Sequence, residues 1–132
     1  MRNLVSLVFS CALLLSIPQL ALAQMDQLKD TTPEQRAQMQ TKWMQSNLSL
    51  DAKAAASASA INLKYAKENE SLMSSDGPKF KKLMAFKENS SAKDAELKAI
   101  FTPEQYSQYE QKKSEMESKV MQMAKEKHQA AQ

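Results

Sequence analysis

The chain has 132 residues, 18 Lys and Arg against 15 Asp and Glu for a net charge of +3, one glycine and one cysteine. So small a net charge gives no general case for nucleic-acid binding, a lone glycine excludes a glycine-rich phosphate loop, and a lone cysteine excludes an internal disulfide framework. Abundant Ala, Lys, Gln, Glu and Met favour helix and leave few turns for a β-sheet, so the expected fold is all-α in a single domain.

In chain order, Arg2 supplies a positive start, residues 4–15 an apolar run, and Pro18 precedes Ala21-Leu22-Ala23, a small-x-small cleavage pattern. The expectation is an export signal over residues 1–23, cleaved after Ala23. The apolar run is short for a membrane span, and Cys11 makes a poor lipid-attachment site because most of that run follows it. Cleavage leaves a soluble mature chain of 109 residues with no cysteine, and with 17 Lys and Arg against 15 acids.

Residues 24–31 are polar and expected to fray, as a flexible N-terminus before a single helical domain over residues 32–128, with a short tail at 129–132. Thr32-Pro33-Glu34-Gln35 then reads as a helix start: Thr is the N-cap, Pro takes the first helical position, and Gln reaches back to the cap's own N–H. The same four residues recur at Thr102-Pro103-Glu104-Gln105, preceded by Phe101. The likeness extends downstream, Gln38 matching Gln108 and Lys42 matching Lys112, as in a worn duplication.

A first helix is expected from Pro33 to about Ser46, with Arg36, Met39 and Trp43 on one face, and a break at 47–50. Asp51 caps a second helix from Ala52 to about Ser74, whose apolar stripe is Ala54, Ala58, Ile61, Tyr65 and Leu72. That stripe is narrow and Ala-rich, and permits close helix approach rather than a thick core. Ser75-Asp76-Gly77-Pro78 stops the helix. A third helix begins near Lys79. Its centre, residues 88–93, is polar on every side, which reads either as a helix that spans solvent or lines an open surface, or as a loop between two shorter helices. A fourth helix runs from Pro103 to about His128 with a heptad seam at Tyr106, Tyr109, Lys113, Met116, Val120, Met123 and Lys127.

The mature chain has two Ile, one Val, seven Leu and seven aromatic residues. So thin an apolar inventory makes a compact monomer difficult, and burial across a homodimer is the simplest remedy.

Catalytic chemistry finds little support. The only histidine is His128, no serine or lysine sits in a nucleophile motif, and carboxylates two apart on a helix, such as Glu68 and Glu70, do not face each other. The expectation is a non-enzyme without cofactor or metal: one histidine offers zinc little, and the methionines read as adaptable packing. The positive candidate is Lys79, Phe80, Lys81, Lys82, Leu83, Met84, Phe86 and Lys87, the most basic and aromatic window, with Ile61 and Tyr65 as contributors from the second helix. Such a strip can hold an unfolded polypeptide loosely or lie on an anionic membrane. It can equally be the packed face of a helical hairpin fringed by solvated lysines.

With an export signal, an all-helical chain of this length and two Thr-x-x-Gln caps, the sequence resembles the Spy/CpxP family of periplasmic helical proteins, characterised by a Leu-Thr-x-x-Gln motif. Phe101-Thr102-Pro103-Glu104-Gln105 is similar to that motif with Phe in place of Leu. Thr31-Thr32-Pro33-Glu34-Gln35 resembles a further copy with Thr there, and the lead-in from Lys93 to Ile100 is also similar. The resemblance spans most of residues 32–119. It implies a long antiparallel helical hairpin in a thin, cradle-like homodimer, acting as an ATP-independent chaperone for unfolded exported proteins. The alternative it implies is an envelope-stress regulator docking on a sensor kinase. Metal-binding relatives use histidines that this chain lacks.

Overall fold

The computed structural model describes residues 28–130. The expected export signal, residues 24–27 and the last two residues of the tail lie outside that range. Four helices make up the fold: α1 (Pro33–Leu48), α2 (Ala52–Ser74), α3 (Lys79–Ile100) and α4 (Pro103–Ala130). No strand is present among the described residues, and no described helix is long and apolar enough to cross a membrane.

Both Thr-Pro-Glu-Gln copies form reciprocal caps. Gln35 N–H donates to Thr32 Oγ1 at 3.1 Å, while Thr32 N–H donates to Gln35 Oε1 at 3.1 Å. At the start of α4 the same pair of bonds joins Thr102 and Gln105 at 3.0 and 3.2 Å. Each box satisfies two N–H groups that the first turn would otherwise leave unpaired. Asp51 caps α2 through Ala54 N–H at 2.7 Å. The single glycine, Gly77, stands in the α2–α3 turn at φ +143°, a conformation that L side chains rarely adopt.

Paired side chains give the directions of the helices. Arg36–Glu70 and Thr41–Asn62 set α1 antiparallel to α2, and Tyr65–Glu96 and Asn69–Asn89 set α2 antiparallel to α3. Gln105 reaches the Ser49 carbonyl and His128 pairs with Asp30, so α4 runs back along α1. The chain is therefore an up-down-up-down array in which α2 and α4 are parallel.

The apolar core lies toward the end where α1 finishes and α3 turns into α4. Met44, Leu48, Ala58, Leu97, Phe101 and Tyr109 meet there, with Met116 and Val120 extending the cluster along α4. Phe101 packs edge-on against Tyr109, ring centres 6.1 Å apart. Toward the other end the interior becomes polar. Asn62 is fully buried and donates to Thr41 Oγ1, and its own oxygen has no partner. Arg36 is 4% exposed; it bonds the carbonyls of Leu28 and Thr31 and the Glu70 carboxylate at 2.6 Å.

Three expectations need correction. Residues 28–31 do not fray, because Arg36 fastens their carbonyls and Thr31 is buried at 3% exposure. The heptad seam of α4 holds at Tyr109, Met116 and Val120 but then passes to Ala124, leaving Met123 45% exposed. A straight helix drifts about 20° per heptad against a 3.5-residue repeat, so without supercoiling the buried line steps by four. On α2 the buried line is Ala55, Ala58, Asn62, Tyr65 and Ala66, so Asn62 replaces an apolar residue at the centre of the stripe.

Thr102→Ala should lower stability by about 1 kcal/mol while leaving the helical circular-dichroism spectrum intact, as measured by urea unfolding. Arg36→Ala should cost more, about 2–3 kcal/mol, because it strands two carbonyls and a carboxylate; equal midpoints for the two variants would contradict the fastening role given to Arg36.

Candidate functional site

The third helix divides along its length. It is continuous from Lys79 to Ile100, so residues 88–93 are not a loop; none of them is fully buried, and Asn89, Ser90 and Lys93 line an open cleft. Phe86, Ser90, Lys93 and Leu97 follow the 3–4 spacing of a helical face, and that face points inward. Only Leu97 on it is fully buried. In the polar centre Asn89, Ser90 and Lys93 are half-buried, while Glu88, Ser91 and Ala92 are exposed.

Side-chain bonds between α3 and α4 are confined to the half near their connecting turn. Tyr109 O–H donates to Asp94 at 2.8 Å, and Lys113 pairs with Asp94 at 2.6 Å and donates to Ser90 Oγ at 3.0 Å. Past this point two adjoining cavities of about 230 and 140 Å³ open, sharing Leu28, Gln40, Tyr65, Asn69, Lys93 and Glu117 as walls. Phe86, Asn89 and Met116 complete the larger one. Lys93 is half-buried in this cleft, and its ammonium donates to the Gln40 side-chain carbonyl of α1.

The electrostatics follow from that placement. Burial brings the Lys93 ammonium down from 10.5 to about 8, and the nearby Lys113 charge pushes the same way; Asp94 and Glu117 oppose them. Burial and its bond to Asp94 hold the Tyr109 phenol well above its ordinary range. Across the outer side of α2 and α3, Glu96 accepts from both Lys64 and Tyr65 at 2.6 Å, which lowers its carboxyl. No group of three or more His, Cys, Asp or Glu able to hold a metal occurs among the described residues.

The basic strip expected from the sequence lies at the opposite end of α3 from Leu97. Phe80 is 71% exposed and Met84 43% exposed, with Lys79, Lys81 and Lys87 exposed around them. Leu83 is half-buried, Phe86 turns into the cleft, and Lys82 donates to the Met73 carbonyl at 3.4 Å. Ile61 and Tyr65 are not brought to this strip. Ile61 packs against the apolar core, and Tyr65 is buried with its hydroxyl on Glu96. Thr32 to Gln35 and Phe101 to Gln105 stand at helix starts, away from both cleft and strip; Phe101 is in the core.

The α3 N-terminus has no side-chain cap and no acidic residue in its first turn. Three lysines, Lys79, Lys81 and Lys82, therefore sit at the positive end of the helix dipole, where cations are disfavoured. The strip is a site of concentrated positive potential.

Residues 23–109 match a family described as a domain of unknown function, DUF4890. The chain belongs to the DUF4890 family. The match takes in α1, α2, α3 and the start of α4 as far as Tyr109, so the strip and the α3 wall of the cleft fall within it. Lys113, Met116 and Glu117, which close the cleft from α4, fall beyond it. No curated protein and no solved structure matches the chain.

The cleft was not legible as a site in the sequence, because its members come from all four helices and look like ordinary surface residues one by one. The one available signal was Lys93 standing between Ser90 and Leu97 at helical spacing.

The depressed Lys93 value has a consequence for stability. Between pH 8 and 10.5 the unfolded chain holds this proton and the folded chain releases it, so the Lys93 contribution to stability rises with pH across that window. Above pH 10 the raised Tyr109 acts oppositely, since the unfolded phenol loses its proton first. Lys93→Met should remove the first effect. The stability gap between variant and wild type, measured by urea unfolding at pH 7.5 and 9.5, should shift toward the wild type at the higher pH by on the order of 1 kcal/mol. A constant gap would mean that the lysine is solvated.

Proposed function

We propose that the chain is exported to the periplasm and there holds unfolded or stress-damaged polypeptides, without nucleotide, on the basic and aromatic first turns of α3. The observation that carries this reading is Phe80. The mature chain has only seven aromatic residues and a sparse core, yet this one stands 71% exposed. Burying it would stabilise a monomer by about 1.5–3 kcal/mol, so its position outside is a cost that binding can recover.

Met84 lies one turn along on the same exposed side and adds an adaptable thioether, suited to side chains of varied shape. The surrounding lysines and the uncapped helix N-terminus attract acidic segments at long range, and the apolar pair then holds exposed hydrophobic residues. Contacts of this kind are weak and reversible by thermal motion, which is why no nucleotide is required. The resemblance to periplasmic chaperones supports the same reading, as does the export-signal pattern of residues 1–23.

The test is suppression of light scattering from reduced, aggregating α-lactalbumin. Wild-type protein at several-fold molar excess should suppress it. A Phe80→Ser, Met84→Ser double variant should lose most of the effect while keeping its thermal midpoint. A wild-type protein without effect removes the proposal, and full activity in a folded double variant moves it off this surface.

A further inference from the structure

The cleft between α3 and α4 contains a cation, Lys93, that makes no ion pair with any described residue. Lys113 is paired with Asp94, which is also occupied by the Tyr109 hydroxyl. Among the described residues Lys93 has no carboxylate within ion-pair distance, Asp94 and Glu117 acting on it only at longer range; its bond goes to the neutral oxygen of Gln40. We infer that this cleft is a binding site for a small amphipathic carboxylate, with Lys93 holding the carboxylate and Leu28, Phe86 and Met116 receiving its apolar body.

The hydrogen-bond inventory of the walls points to an acceptor. Lys93 uses one of its three protons on Gln40, and Lys113 uses two of its three on Ser90 and Asp94. Gln40 accepts through its oxygen and Asn69 accepts through its oxygen from Asn89, so the amide hydrogens of both remain for another partner. The cleft therefore presents surplus donors. Tyr65 and Tyr109 add no donor to this set, because their hydroxyl hydrogens go to carboxylates of the protein itself. Glu117 is the one further carboxylate on the wall. Its charge acts on Lys93 without pairing with it, and its repulsion grows with each negative charge on a ligand, which favours a single carboxylate over a multiply charged anion.

Size and lining select the remainder of the ligand. The larger cavity is about 230 Å³, above the ~150 Å³ that takes up benzene in an apolar site, so a single ring with a short acid chain fits. Apolar walls with a few convergent polar groups are the ordinary composition of small-molecule sites. Burial that lowers the affinity of Lys93 for its proton also makes the ammonium gain from an anionic partner in a medium that screens poorly. This site lies on the opposite side of α3 from Phe80 and stands independently of polypeptide holding.

The experiment titrates protein carrying ¹³C-methyl methionine with 3-phenylpropionate and, separately, with its neutral amide. Saturable shifts of the Met116 and Met121 methyl signals are expected with the acid, and binding about tenfold weaker with the amide. Lys93→Met should weaken the acid about tenfold without loss of helix, because it removes a desolvated charge rather than a packed group. Lys53→Met, exposed at the start of α2 and in neither strip nor cleft, should bind as wild type. The inference is overturned if the acid produces no saturable shift at millimolar concentration, if acid and amide bind equally to the wild type, or if Lys93→Met binds the acid unchanged.

Discussion

The shortage of large apolar side chains is the constraint from which the rest of this structure follows. Four helices enclose more interior than the two Ile, one Val and seven Leu of residues 28–130 can fill. The chain spends its bulk at one end, where Met44, Leu48, Leu97, Phe101 and Tyr109 are buried in one cluster around the α3–α4 turn. Elsewhere the helices are joined by charge and hydrogen bonds: Arg36 to Glu70, Asn62 to Thr41, Lys93 to Gln40, Lys113 to Asp94. Such bonds contribute little net stability when made and are costly when broken, so they act mainly to set register and direction.

That division explains where function has room. At the apolar end the four helices close on one another. At the polar end α3 and α4 separate past Ser90 and Lys113, and the cleft opens between them. Regions with few apolar contacts and solvent-accessible polar bonds open more readily than a packed core, and binding surfaces are usually drawn from them. Phe80 and Met84 stand at the polar end, at the start of α3, which has no side-chain cap and no acidic residue in its first turn. Strip and cleft are two outcomes of the same economy of apolar residues, one facing out and one facing in.

Helix boundaries were the most legible feature of the sequence, because they depend on local chemistry. The Thr, Pro and Gln of each cap lie within four residues, and the bonds they form need nothing from the rest of the chain. The turn at Gly77 and the cap at Asp51 are local in the same sense. Arg36 shows where such reading stops. At helical spacing from Met39 and Trp43 it looked like one member of a face; its burial follows from the carbonyls of residues 28 and 31 and from Glu70, partners 5 to 34 positions away.

The sequence by itself determined that this protein is helical, where each helix starts, and that its core would be thin, since propensity, capping and composition act over a few residues at a time. Only the tertiary structure decided which polar residues became interior. Ser90, Lys93 and Asp94 on α3, Gln40 on α1, Asn69 on α2 and Lys113 on α4 carry no mark that separates them from solvated neighbours. They line one cleft because α4 runs back along α1 and diverges from α3, a geometry set by packing at the far end of the molecule and invisible to any window of the chain.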